Sequence, residues 1–321
     1  MIKSSPSSDL INNKLCVCKN KLNKKINFGN LPIVNNYTSK INLKKYPVII
    51  SQCEKCQLIH LKYTLPDKLL FPSNYSYLSG NSKEKIKNFK SILHKIEKFS
   101  KKSDPKILDI GSNDGAFLEL VKNKYSKVLG IEPTNCADIT INKRIDTIKS
   151  PLNFQLAKKI VNKYSKFDFI IGTNILAHTN NIGGILKSIK LLLNKKGLSI
   201  IEVQYLYDLI SQKGFDSIHH EHKAYFTLSS IMKGMKNFGL YIFDAEKLSV
   251  HGGILRVYVS PNKKKIRKRL KKILNKENDK KIFTKLKKLN QFRKKFNYKI
   301  KKLLINLKKN KKKIYGVGAA P

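Results

Sequence analysis

Between residues 106 and 260, short runs dense in Ile, Val, Leu and Phe alternate with stretches whose apolar residues recur every three or four positions. The runs are Lys106 to Ile110, Lys127 to Glu132, Phe167 to Gly172 and Leu198 to Val203. Runs this short and this apolar suit strands of a parallel sheet buried on both faces, and the amphipathic stretches between them then cover the sheet as helices. The predicted fold class is therefore α/β. Two further runs, Leu240 to Asp244 and Ile254 to Ser260, flank a loop containing His251-Gly252-Gly253 and read as an antiparallel edge of the same sheet.

The segments outside this core have different characters. Residues 14–65 hold Cys16-Val17-Cys18 and Cys53-Glu54-Lys55-Cys56. Five cysteines in 321 residues are too few for a disulfide scaffold, and two tight pairs suit a small module closed by a metal, with Cys16, Cys18, Cys53 and Cys56 as its ligands. Residues 66–104 read as a connector, Phe71 to Tyr77, followed by a lysine-rich helix from about Ser82 to Ser100. The core proper spans 105–260. Residues 261–313 then read as one or two basic amphipathic helices, since 262–313 carries 25 lysines and arginines against two acids. A solvated face packed on the preceding domain and a membrane-surface helix both fit that composition. Residues 314–321 read as a strand and a Gly-x-Gly turn that open a further α/β unit, so the sequence reads as truncated there.

A formal net charge of +45 would suit nucleic acid or an anionic membrane. Only five of the 66 basic residues are arginine, however, and the planar arginine fork is what phosphate and base recognition favours. Lysine, asparagine and isoleucine are enriched together, as coding from an AT-rich genome would impose, so no specific nucleic-acid partner is expected. No window approaches the roughly 18 uninterrupted apolar residues of a membrane span, and Met1 to Asn13 lacks the apolar core of a signal peptide. The expected location is cytoplasmic, without a membrane span.

Three segments carry chemistry. The run Asp109-Ile110-Gly111-Ser112-Asn113-Asp114-Gly115 is a strand end turning into a helix. Its glycines let backbone approach a ligand, and the helix start offers free amides to a carboxylate. Glu132, at the end of the next strand, can accept both hydroxyls of a ribose. The third strand ends in Asn174-Ile175-Leu176-Ala177-His178. The spacing Asp-x-Gly-x-Asn-x-Gly differs from the Gly-x-Gly-x-x-Gly of dinucleotide enzymes. With the acid and the Asn174 strand, it points to S-adenosylmethionine, bound by Asp109, Gly111, Asn113, Asp114, Gly115, Glu132 and Asn174. After the fourth strand, His219-His220-Glu221-His222 places three of the seven histidines around a glutamate. Imidazole suits proton abstraction beside a carbonyl, and the order is not the His-Glu-x-x-His of a zinc protease.

With these segments in hand, the chain resembles the sugar-nucleotide C-methyltransferases, which act on 4-keto-deoxyhexoses. The resemblance rests on Cys53-x-x-Cys56, Tyr75 and Tyr77, Asp109 to Gly115, His220-Glu221-His222-Lys223-Ala224-Tyr225-Phe226, Val250-His251-Gly252-Gly253-Ile254-Leu255-Arg256-Val257-Tyr258-Val259, and Tyr315-Gly316-Val317-Gly318-Ala319. It implies a class I methyltransferase (Rossmann-like) core, a small N-terminal zinc-binding domain and a C-terminal α/β domain, here incomplete, that helps enclose a nucleotide-sugar substrate. It also implies His222 as the base that removes the proton from carbon 3, and Glu221 as the group that orients the base or binds the sugar. Tyr75 or Tyr77 would reach the site from the connector. The chain departs from the family pattern at Cys16-x-Cys18, one residue short of the usual zinc knuckle, and at His219, where a tyrosine is expected beside the sugar. A nucleic-acid methyltransferase is disfavoured, because Asn174-Ile175-Leu176-Ala177 stands where an Asn/Asp-Pro-Pro-aromatic motif belongs. A catalytically dead scaffold is the remaining alternative.

Overall fold

The computed structural model describes residues 9–34, 43–72, 75–250, 252–278 and 281–315. His251 and residues 316–321, both parts of motifs singled out above, lie outside them. The main sheet has seven strands in chain order: β1 (Ile107–Ile110), β2 (Val128–Ile131), β3 (Thr147–Ile148), β4 (Phe167–Thr173), β5 (Leu193–Gln204), β6 (Tyr241–Leu248) and β7 (Ile254–Ser260). Their spatial order is 3-2-1-4-5-7-6. Strands β3, β2, β1, β4 and β5 run parallel, whereas β7 pairs antiparallel with both β5 and β6. This is the sheet expected of a class I methyltransferase core. The last two runs form the expected antiparallel edge, with β7 inserted between β5 and β6. Two details differ from the sequence expectation: β3, Thr147–Ile148, was marked by no apolar run, and β5 begins five residues before the apolar run at Leu198.

Side-chain alternation sends each strand's residues to two apolar layers. Ile107, Phe169, Ile171, Ile200 and Tyr258 pack with Phe89, Ile92 and Ile96 of the helix Lys83–Phe99. Leu108, Ile110, Ile170 and Ile201 face the other way, toward Ile160, Ile185 and Ile189 of the helices Phe154–Tyr164 and Ile182–Leu192. The helix starts are set locally. The side chains of Ser82, Asn153 and Asn181 accept the backbone N–H of Lys85, Leu156 and Gly184, respectively, which satisfies donors that a first turn leaves free.

A polar island lies under the helix Lys83–Phe99. Arg256 of β7 donates to Glu202 of β5 (Nε to Oε1, 2.8 Å), to Asn88 (2.8 Å) and to Ser91 (3.0 Å), while Asn88 donates to the other Glu202 oxygen (2.8 Å). Arg256 and Glu202 are both wholly buried.

The cysteine-bearing region forms a second, antiparallel sheet of Leu22–Leu31, Tyr46–Cys53 and Ile59–Leu61, with Ala224–Tyr225 added as its fourth strand. The basic segment forms the helices Lys268–Leu274 and Ile282–Lys309. The second packs Ile282, Phe283, Leu286 and Leu289 against Ile26, Phe28, Val48 and Ile50 of the cysteine sheet and against Leu206, Leu209 and Ile218 of the core, so it bridges the two. Ile314 and Tyr315 carry no regular structure. Among the described residues, no helix is long and apolar enough to cross a membrane.

Candidate active site

The sheet order reverses between β1 and β4, and ligands of open α/β sheets bind in the crevice at the carboxyl ends of such strands. The Asp109–Gly115 turn opens there. Gly111 and Gly115 adopt φ of +73° and +74°, and a Cβ would stand 2.6 Å from Ile175 Cγ2 at the first and 2.6 Å from Thr140 Cγ2 at the second. Both positions therefore exclude a side chain sterically and conformationally. Asn113 and Asn174 also lie at positive φ, +51° and +62°. Glu132 is buried and oriented: Oε2 accepts the Asn113 N–H (2.9 Å), and Oε1 accepts the N–H (2.9 Å) and hydroxyl (2.8 Å) of Thr134. Burial, and next the charge of Glu132, raises the Asp109 carboxyl well above the usual carboxylate range. Two buried polar atoms beside this turn, Ser112 Oγ and Asn135 Oδ1, have no hydrogen-bond partner among the described residues. A glycine cradle with orphaned polar atoms and an oriented acid fits a nucleoside ligand.

The side chains of Asn113 and Asp114 hold the connector. Asn113 accepts the Ser79 N–H (2.8 Å) and donates to the Tyr77 carbonyl (3.0 Å), while Asp114 accepts the Ser79 hydroxyl (2.7 Å) and the Gly80 N–H (2.8 Å). This clamp brings Tyr75 and Tyr77 to the crevice. Burial, followed by the charge of Glu221, raises the pKa of Tyr75, so its hydroxyl stays protonated; Tyr77 is raised by burial and by Asp114.

The histidine segment reaches the same end of the sheet. The Lys223 N–H donates to the Ala177 carbonyl (2.7 Å), directly after β4, and the Lys223 carbonyl accepts the Leu61 N–H (2.9 Å) of the cysteine sheet. His222 Nδ1 lies 2.8 Å from the Ser217 carbonyl. A carbonyl only accepts, so Nδ1 carries the hydrogen and Nε2 is left as the basic nitrogen. Burial lowers the His222 pKa, against the opposing pull of the Ser217 carbonyl and Asp216. The rings of His219 and His178 lie 4.3 Å and 5.0 Å from that of His222, between centroids. Both have their pKa well lowered, first by burial and then by His222. Glu221 is buried and its charge acts on both Tyr75 and Lys223. His220 is apart from this group, wholly buried with Nε2 donating to the Tyr46 carbonyl (3.2 Å).

His178 was given no role by sequence reasoning, because its position beside His222 arises only when β4 and the distant histidine segment meet. The same holds for Asp67, which pairs with the buried ammonium of Lys223. The sole hint was local: His178 closes the segment that starts at Asn174.

The thiols of Cys16, Cys18, Cys53 and Cys56 lie within 4.8 Å of one another, with Cys16 to Cys56 and Cys18 to Cys53 both 3.4 Å apart and no disulfide between them. Four converging thiols fit one tetrahedral metal ion such as zinc.

A methyltransferase-domain family model matches residues 84–244, half of the chain. The chain belongs to this family of methyltransferase domains. A second model, described as a C-methyltransferase C-terminal domain, matches residues 249–321. The chain is 26% identical over 242 residues to the C-methyltransferase NovU of Streptomyces niveus, a match covering 74% of this chain and 57% of that protein. It is also 26% identical over 140 residues to a tRNA U34 carboxymethyltransferase of Campylobacter lari, covering 41% of this chain and 46% of the relative. The chain thus spans 57% of the length of the first curated relative and 46% of the second. Among solved structures, magnesium protoporphyrin IX methyltransferase of Synechocystis is similar at 13% identity and a TM-score of 0.44, covering 54% of this chain and 82% of that one.

Proposed function

We propose that this methyltransferase transfers a methyl group from S-adenosylmethionine to carbon 3 of a nucleotide-linked 4-keto-deoxysugar. The observation that carries the reading is the tautomer of His222, whose Nδ1–H is committed to the Ser217 carbonyl. Its Nε2 is thereby the nitrogen left to take a proton. The matches to a C-methyltransferase and to a C-methyltransferase C-terminal-domain model support transfer to carbon.

Bound S-adenosylmethionine supplies an electrophilic methyl group. Gly111 and Gly115 let backbone approach it, Asp109, Asn113, Asp114 and Asn174 shape the crevice, and Glu132 keeps lone pairs for the ribose hydroxyls. The 4-keto group acidifies the hydrogen on carbon 3. His222 Nε2 would remove that proton, the electron pair moving to the carbonyl oxygen to give an enolate whose carbon 3 would take the methyl group as its bond to the sulfonium sulfur breaks and the neutral thioether leaves. The protonated hydroxyl of Tyr75 or Tyr77 is the donor available to the sugar, Glu221 orients the base or binds the sugar, and His219, its ring 4.3 Å from that of His222, would touch the sugar ring. Fixing base and acceptor together supplies the proximity that a bimolecular reaction lacks. The four cysteines hold zinc in a structural role.

The test is His222→Ala. Methyl transfer to a nucleoside-diphosphate 4-keto-deoxyhexose should fall by about 10²–10⁴, as should exchange of the carbon-3 hydrogen with deuterated solvent. Affinity for S-adenosylmethionine, measured by calorimetry, should be unchanged. Undiminished turnover, or exchange that persists in the variant, would sink the assignment.

A further inference from the structure

The two cysteine pairs are unequal, and the structure shows what the shorter one lacks. Cys53 accepts backbone N–H groups from both Cys56 and Lys55, and Cys56 accepts one from Leu58. Cys16, which opens the short Cys16-x-Cys18 turn, accepts the backbone N–H of Cys18. The missing residue removes one amide from the turn. Two side chains stand beside the short pair instead: Asn20 Nδ2 donates to Cys18 Sγ (3.4 Å), and His60 Nε2 lies 3.1 Å from Cys16 Sγ, with Cys16 and His60 both buried. His60 belongs to the strand Ile59–Leu61 and approaches the four thiols from outside the set that closes within 4.8 Å.

We propose that His60 completes the short knuckle, donating its Nε2–H to the Cys16 thiolate and so setting how tightly the four-cysteine centre retains its metal. A thiolate bound to metal has no proton to give, so the imidazole is the donor in this contact. Four thiolates around one divalent cation leave an excess of negative charge, and N–H···S bonds disperse it. Such outer partners govern retention because they stabilise the ligand in its deprotonated form. The inference rests on the reading of Cys16, Cys18, Cys53 and Cys56 as a metal centre. It makes His60 a positioning residue and not a ligand. Its strand also pairs Ala224, two residues from His222, opposite His60, so the strand that carries His60 adjoins the histidine segment.

The experiment loads the full chain with Co(II) and follows its absorption spectrum, its stoichiometry and its release to a chelator. The His60→Leu variant should keep one Co(II) per chain with a four-thiolate spectrum but release it roughly 10-fold faster, in line with the 10–100-fold cost of losing an outer partner. His60→Gln, which retains an N–H donor, should release at close to the original rate. Equal release from the original chain and His60→Leu would overturn the proposal. So would a change in the charge-transfer bands of His60→Leu, which would make His60 a ligand. Should His60→Leu not fold, cadmium-113 loading of the unaltered chain decides: the imidazole N–H must show coupling to cadmium across the sulfur, and its absence overturns the assignment. A chain that takes up no Co(II) at all would instead overturn the metal centre itself.

Discussion

Gly115 shows how far a single residue can be read from sequence. The motif asks for a glycine where strand turns into helix, and the structure gives the reason: φ of +74° and a Cβ position 2.6 Å from Thr140 Cγ2. Replacing it with alanine forces strain and displaces Thr140, whose hydroxyl donates to the Asn113 carbonyl. Gly115→Ala should destabilise the fold by about 1–3 kcal/mol and weaken S-adenosylmethionine binding, measured by urea unfolding and calorimetry. Stability and affinity both unchanged would show that the turn tolerates a side chain. His222 was legible only in part. Its residue type pointed to proton transfer, but its tautomer depends on the Ser217 carbonyl five residues away, and no spacing rule specifies that contact. Asn113 and Asp114 show the converse, since the motif marked them for the cofactor while their side chains clamp the connector.

At the scale of elements, Arg256 explains a motif position by packing. It lies on β7, yet its guanidinium joins β5 through Glu202 and the helix Lys83–Phe99 through Asn88 and Ser91. Three elements thus meet on one buried charge pair. Arg256→Met should cost about 3–5 kcal/mol because it strands the Glu202 carboxylate in the core, and the double variant with Glu202→Leu should recover much of that loss. Thermal unfolding of the single and double variants checks this; a single variant as stable as the original chain would mean that Glu202 finds another partner. Strand and helix positions were well read, since burial on two faces and amphipathic periodicity are local properties of the chain. The insertion of β7 between β5 and β6 was not, because an antiparallel run reads the same at either place. The long basic helix was read correctly as amphipathic, and its packing on the core through Leu206, Leu209 and Ile218 was expected, but its second partner, the cysteine sheet, was not.

For the whole molecule, the cluster of His178, His219 and His222 couples stability to pH. Burial lowers the pKa of all three below the ordinary histidine value of 6.5. The unfolded chain therefore binds protons below about pH 6.5 that the folded chain resists. Their contribution to stability is fully present above that pH and is lost as pH falls through the lowered values. The Tm should be level from pH 8 to 7 and fall between pH 6.5 and 5, and a Tm that stays level to pH 5 would contradict burial of the cluster. The same cluster marks the boundary between what sequence and structure decide. The chain's periodicity and its glycine-rich turn were enough to specify an α/β core and six of the seven strands of its main sheet. Each of these follows from forces acting within a few residues: backbone sterics, side-chain alternation and helix capping. The 3-2-1-4-5-7-6 order, the addition of Ala224–Tyr225 to the cysteine sheet, and the meetings of His178 with His222 and of His60 with Cys16 were decided only by the tertiary structure. Those contacts join residues about 40 to 160 positions apart, and it is the burial of shared apolar surface, not any local spacing, that brings them together.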